Sequence, residues 1–145
     1  MIVIVAATQF IVICRIVLNR NFLKEGENML GEKIGSFTAA TTNTPLPADG
    51  ALPKFETRAE GSGTLAGAEV KFIGSYGSDM RADGTLYAEC PNQGVVMTAD
   101  GVATFRASGI GTFTADGGAT FRGVCYFQSS AASLSSLNGS CVVYH

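Results

Sequence analysis

The sequence predicts an all-β domain: an antiparallel meander closed into a small barrel of about eight strands, with an open β-sandwich as the alternative. Three observations carry this. The phrase Thr-Ala-Asp-Gly-x-Ala-Thr-Phe-Arg occurs twice, beginning at Thr98 and Thr114, and an earlier Asp-Gly lies within Arg81 to Tyr87. Asp-Gly between alternating apolar residues is a strong hairpin signal, because both turn residues tolerate positive φ. Glycine, with 18 copies, concentrates between Gly61 and Gly123, as a tightly curved sheet requires at its bulges and corners. No stretch after Met29 carries helical periodicity.

The elements follow in chain order. Ile2 to Leu18 is almost wholly apolar, but Arg15 interrupts it before the length of a spanning helix is reached. The positive charges Arg15, Arg20 and Lys24 follow the apolar run, whereas a signal peptide carries them before it. Residues 1–28 therefore read as translated leader preceding a domain of residues 29–145. The purine-rich codons available to Lys24-Glu25 fit a ribosome-binding sequence upstream of the Met29 codon. A short membrane anchor is the alternative, and with it a membrane-anchored rather than a cytoplasmic location.

Within the domain a first strand is expected over Glu32 to Thr41, then a proline-rich loop from Thr42 to Pro53. Lys54 to Gly63 places Lys54, Glu56, Arg58 and Glu60 on a solvated face, and Phe55, Thr57 and Ala59 on the other. Ala68 to Ser78 directs Val70 and Phe72 inward. Gly84 to Cys90 directs Leu86, Ala88 and Cys90 inward, and Pro91-Asn92-Gln93-Gly94 breaks the strand before Val95 to Ala99 resumes it. The two repeat strands turn Phe105 inward with Ala103 and Ala107, and Phe121 with Ala119, Gly123, Cys125 and Phe127. Leu137 to Tyr144 closes the chain. Asp100-Gly101 and Asp116-Gly117 are expected as two-residue loops with glycine at positive φ, Gly118 extending the second to a three-residue form.

Composition excludes several classes. Charged residues make up 15% of the chain and the net charge is −2, so no electrostatic footprint for nucleic acid exists. The four cysteines, Cys14, Cys90, Cys125 and Cys141, form no CxxC pair, and the lone His145 is terminal. No metal site or cofactor is expected, and the cysteines read as small buried apolar groups.

Three runs carry a resemblance: Gly61-Ser-Gly-Thr-Leu-Ala-Gly67, the stretch from Gly74 to Gly84, and Phe121-Arg-Gly-x-x-Tyr-Phe-Gln128. Over roughly Met29 to Tyr144 they resemble small bacterial proteins of unknown function that are similar to the allene oxide cyclase-like barrel superfamily. The resemblance implies a barrel. Members of that superfamily include cyclases that hold an apolar substrate inside it and proteins with no assigned activity. No cyclase catalytic residue matches a position here.

The leading functional expectation is thus a barrel that binds a small apolar molecule inside, lined by Phe72, Met97, Phe105 and Phe121. A cyclase or isomerase using the same cavity is the enzymatic alternative, and a ligand-free structural homo-oligomer is the third. Glu89, beside the strand break, is the most interesting acid, since a carboxyl group in an apolar mouth gains a raised pKa. Alternation nevertheless places it outside. Arg106 and Arg122 occupy equivalent repeat positions and are expected to cover the outer surface with their stems. Asp83, Asp100 and Asp116 read as hairpin residues, not metal ligands. Gly109-Ile-Gly111 lacks the following helix that a phosphate loop needs.

Overall fold

The computed structural model describes residues 33–47, 50, 52–115 and 117–145, together with the backbone of 10–12 and 14–16. Nearly all the chain called leader, as well as Asp116, lies outside these residues. The strands are β1 (Phe10–Val12), β2 (Cys14–Ile16), β3 (Gly35–Leu46), β4 (Lys54–Leu65), β5 (Ala68–Met80), β6 (Leu86–Thr98), β7 (Gly101–Phe113), β8 (Ala119–Ser129) and β9 (Val142–Tyr144). A 3₁₀ helix, Ala132–Leu137, joins β8 to β9. The protein is all-β: β3 to β9 form an antiparallel meander, each pairing with the next, within one sheet of order β1-β3-β4-β5-β6-β7-β8-β9-β2. The sheet's two outermost strands, β1 and β2, are separated in the chain by residue 13 alone.

Alternation sets the faces as the residue pattern demands. Phe37, Ala39, Leu65, Val70, Leu86, Ala88, Cys90, Val96, Ala103 and Cys125 are buried, and their strand neighbours look outward. Lys54, Glu56, Arg58 and Glu60 do share the outer face. There the Arg58–Glu60 ion pair at 3.2 Å is too exposed to contribute more than a fraction of a kcal/mol.

The expected boundaries needed correction in four places. β3 runs on through Thr42 to Leu46, where a loop was expected. Pro45 lies one residue from the end of β3, opposite Phe55 of β4. The Asp100-Gly101 loop is one residue earlier than expected: Thr98 pairs with Gly101, so Ala99 and Asp100 form the two-residue turn. The Asp83 and Asp116 turns are five-residue loops, built alike. Arg81 N–H donates to Thr85 O and Gly84 N–H to Arg81 O; Thr114 N–H donates to Gly118 O and Gly117 N–H to Thr114 O. Gly84 and Gly117 occupy the left-handed region at φ 81° and 84°, which explains why glycine follows aspartate there. Finally, Leu137 belongs to the 3₁₀ helix and only Val142–Tyr144 forms the last strand.

The 3₁₀ helix closes one end of the core. Ala131, Leu134 and Leu137 recur at the three-residue period of that helix, and all are buried, at 1%, 0% and 0% exposure. They pack with Phe37, Leu65, Val70, Val96, Ala103, Cys125 and Val142, with Phe72, Phe105 and Phe127 around them. Side-chain hydrogen bonds hold both ends of the segment. Ser133 donates to Asp100 from its N–H (2.9 Å) and its hydroxyl (2.7 Å). Asn138 exchanges two bonds with the Ser129 backbone, at 2.8 and 3.1 Å.

Candidate functional site

The least regular part of the wall is the middle of the β5–β6 ladder. Pro91 brings no N–H to a ladder, and Asn92 sits at φ 58°, a conformation that asparagine tolerates better than most residues. As a result the register shifts: Pro91, Asn92 and Gln93 all lie opposite Arg106 of β7, since Cys90 pairs with Ala107 and Gly94 with Phe105. On the other side, the β5 register is interrupted between Ile73 and Gly77. Such a bulge bends the strand and re-aims its side chains. Ser75 ties the two strands together across it, its hydroxyl donating to Gln93 Oε1 at 2.8 Å. Burial pushes the Cys90 thiol pKa up, against hydrogen bonds from the backbone of Gln93 and Gly94.

A cleft of about 430 Å³ opens beside this bulge, lined by Leu46, Glu56, Tyr76, Gly77, Asp79, Tyr87, Glu89, Pro91 and Gln93. The ladder explains the convergence. Glu56, Gly77 and Glu89 are directly opposed on three neighbouring strands, and so are Lys54, Asp79 and Tyr87 in the next row. Gly77 leaves the floor bare, since a Cβ built there meets nothing within 4 Å. Three carboxylates and an exposed Tyr87 ring therefore surround an open floor, with Gln93 offering an amide. Tyr76 reaches the site from the inner face. Burial raises its hydroxyl pKa, opposed by a hydrogen bond with Thr57, whose own hydroxyl donates to Asn43 Oδ1 at 2.7 Å.

The residues expected to line an interior cavity do not come together as one surface. Phe72 meets Phe37 edge-on at 5.2 Å and Phe105 lies tilted against Phe127 at 5.8 Å, so both rings are spent on packing. Phe121 lies in another part of the sheet, edge-on to Tyr76 at 6.0 Å. Met97 is on the opposite face: it pairs with Lys71 and Val102, both exposed, while its neighbour Val96 is buried. A second cleft, of about 340 Å³, runs along Val102, Thr104, Gln128, Ser129 and Ser130.

Glu89 stands outside between the buried Ala88 and Cys90, as alternation requires. Arg106 and Arg122 are both exposed, yet Arg106 is level with Tyr126 and Arg122 with Ile110, so they do not converge. Asp83 and Asp100 serve their own turns. Asp83 is held below the usual carboxylate range by bonds from the Thr85 hydroxyl and N–H. Asp100 is held down to about 2, first by the Thr98 hydroxyl and then by Ser133. Among the described residues no group of His, Cys, Asp and Glu is placed to hold a metal, and no helix is long and apolar enough to cross a membrane. Cys90 and Cys125 are buried. Cys141 is free but exposed, contrary to expectation, and hydrogen bonds with the Tyr126 hydroxyl.

The fold is that of an all-β meander and the site is an open cleft on its outer face. Comparison with known protein families, characterised proteins and solved structures finds no match to this chain.

Proposed function

We propose that this chain is a small-molecule-binding protein built on a closed eight-stranded barrel, with its ligand held in the cleft beside the β5–β6 bulge. The carrying observation is the convergence of Glu56, Asp79, Glu89 and Gln93 with the Tyr87 ring around the bare floor at Gly77. The chemistry suits a ligand with an apolar face to lie on Tyr87 and Leu46, and with hydroxyl or ammonium groups to donate to the carboxylates. This departs from an apolar ligand, or a cyclase or isomerase substrate, inside the barrel. Either of those would have to part the Phe37–Phe72 and Phe105–Phe127 pairs. The structural homo-oligomer reading draws support from one feature, the exposed pair Ile73 and Val95, directly opposed on the outer face with Met97 and Val102 beside them.

Register arithmetic supports closure. A row of directly opposed residues starting at Arg15 passes through Val143, Val124, Ser108, Glu89, Gly77 and Glu56 to Thr44. The β1–β3 register, with Phe10 opposite Ala39 and Val12 opposite Phe37, brings position 5 opposite Thr44 when continued, ten residues before Arg15. Eight strands with a stagger of ten residues correspond to a strand tilt of about 40°, inside the range of closed barrels.

Backbone amide NMR titration tests the binding reading, using putrescine, glucosamine and indole as probes. Putrescine or glucosamine should shift Tyr87, Glu89 and Gln93, and Glu56→Gln with Glu89→Gln should weaken that response at least about tenfold. Shifts confined to Phe72, Phe105 and Phe121 with indole would move the site inside. No response to any probe at about 10 mM would leave the structural reading.

A further inference from the structure

The outer face beside the cleft carries opposite charges in adjoining rows. In one row Glu56 and Glu89 face Gly77 from either side. Two residues along the strands, a rise of about 7 Å, the next row holds Arg58, Ser75, Gln93 and Arg106. Arg58 is engaged with Glu60 at 3.2 Å. Arg106 is not: among the described residues its side chain makes no hydrogen bond or ion pair, and neither does that of Glu89. Yet the two are diagonal neighbours, because Glu89 pairs with Ser108, and long side chains can meet across such a diagonal. We infer that the cleft takes a zwitterion, an ω-amino acid whose ammonium sits between Glu56 and Glu89 and whose carboxylate is held by Arg106 and the Gln93 amide. This deepens the cleft reading given above and rests on it.

The bulge builds the anion end. It sets Pro91, Asn92 and Gln93 opposite Arg106, and Pro91 and Gln93 also line the cleft, so Arg106 stands at its border. The Ser75 hydroxyl donates to Gln93 Oε1 at 2.8 Å, which fixes the amide and leaves its NH2 hydrogens as donors. A guanidinium beside an amide NH2 suits a carboxylate, whose bonds to the guanidinium are charge-assisted. At the cation end, the bare floor at Gly77 leaves room for an ammonium between the two glutamates. Exposed Pro91 offers an apolar surface to the methylenes between the two ends. The spacing selects the ligand class. An α-amino acid holds its charges too close together to reach both rows, about 7 Å apart, whereas an ω-amino acid spans them.

Amide NMR titration of the full-length chain with 5-aminovalerate and with its neutral amide, 5-aminovaleramide, isolates the anion contact. The zwitterion should bind about two- to fivefold more tightly, the range that an exposed ion pair contributes, and its shifts should extend to Gln93 and Arg106. Arg106→Gln should bring the two affinities together while 5-aminovaleramide binds as before, which also reports that the variant is folded. Arg122→Gln, remote from the bulge, should change neither. Equal affinities in the parent, an advantage that survives Arg106→Gln, or loss of both ligands in that variant overturns the zwitterion assignment and leaves the cleft standing. If neither compound shifts Tyr87, Glu89 or Gln93 of the parent at about 10 mM, the cleft and its anion end fall together.

Discussion

Gly94→Ala is the substitution for which the structure decides the sign. A Cβ built at Gly94 runs into Cζ, Cε1 and Cε2 of the Phe105 ring, the residue directly opposite on β7. Gly94 is not at positive φ. In open space, replacing such a glycine by alanine stabilises a protein by about 0.4–1 kcal/mol, because the unfolded chain loses freedom. Here the ring has to leave, and its far side is held by Phe127 at 5.8 Å. Overpacking of this kind costs about 1–3 kcal/mol, and complete loss of the ring's packing sets a ceiling of about 3–5 kcal/mol. The expected net effect is a destabilisation of about 2 kcal/mol, or roughly 4–8 °C in Tm for a chain this long. Urea denaturation of a double-mutant cycle isolates the cause: with Phe105→Ala already in place, Gly94→Ala should be neutral or slightly stabilising, giving a coupling of about 2 kcal/mol. Additivity within about 0.5 kcal/mol would refute the ring-over-glycine contact, as would a stabilised single variant.

Three further expectations concern the end of the core closed by the 3₁₀ helix. Leu134→Ala should destabilise by about 3–5 kcal/mol, since a fully buried side chain on a segment pinned at both ends leaves a cavity that cannot collapse, while exposed Ser135→Ala should stay within about 0.5 kcal/mol; equal melting points would place Leu134 outside the core. Asp100 has a folded pKa of about 2, below the ordinary carboxylate value of 3.8, so its stabilising bonds to Thr98 and Ser133 are fully present above pH 3.8 and lost as pH falls through about 2. Melting temperatures followed across that window should decline less steeply in Asp100→Asn than in the parent, and parallel curves would exclude the carboxylate as the clasp. Gly101→Val should lower Tm far more than Thr104→Val, because a Cβ at Gly101 already meets Ala131 at 3.0–3.2 Å whereas Thr104 is β-branched on the outer face. Matching melts for that pair would mean the turn does not press on Ala131.

Local pattern alone determined much of the wall. Period-two alternation fixes which face each side chain joins, so Phe72, Phe105 and Phe121 turn inward and Glu89, Arg106 and Arg122 outward without any tertiary information. Asp-Gly marked all three turns, but not their size. Loop length depends on which residues pair across the hairpin, and identical Thr-Ala-Asp-Gly phrases close a two-residue turn beside the 3₁₀ helix and a five-residue loop after Phe113. Met97 obeys the alternation as well: Pro91, Asn92 and Gln93 face the single Arg106, so β6 gains an even number of residues, Leu86, Ala88, Cys90 and Val96 keep one face, and Met97 falls on the other. Ala131, Leu134 and Leu137 did carry a legible signal, a three-residue spacing among serines, but one too short to stand out as a helix. The cleft had none. Glu56, Asp79 and Glu89 come from three different strands, and only the cross-strand register sets them around Gly77. The same holds for β1 and β2: the apolar run around them was plain in the sequence, but only their pairing with β3 and β9 makes them strands.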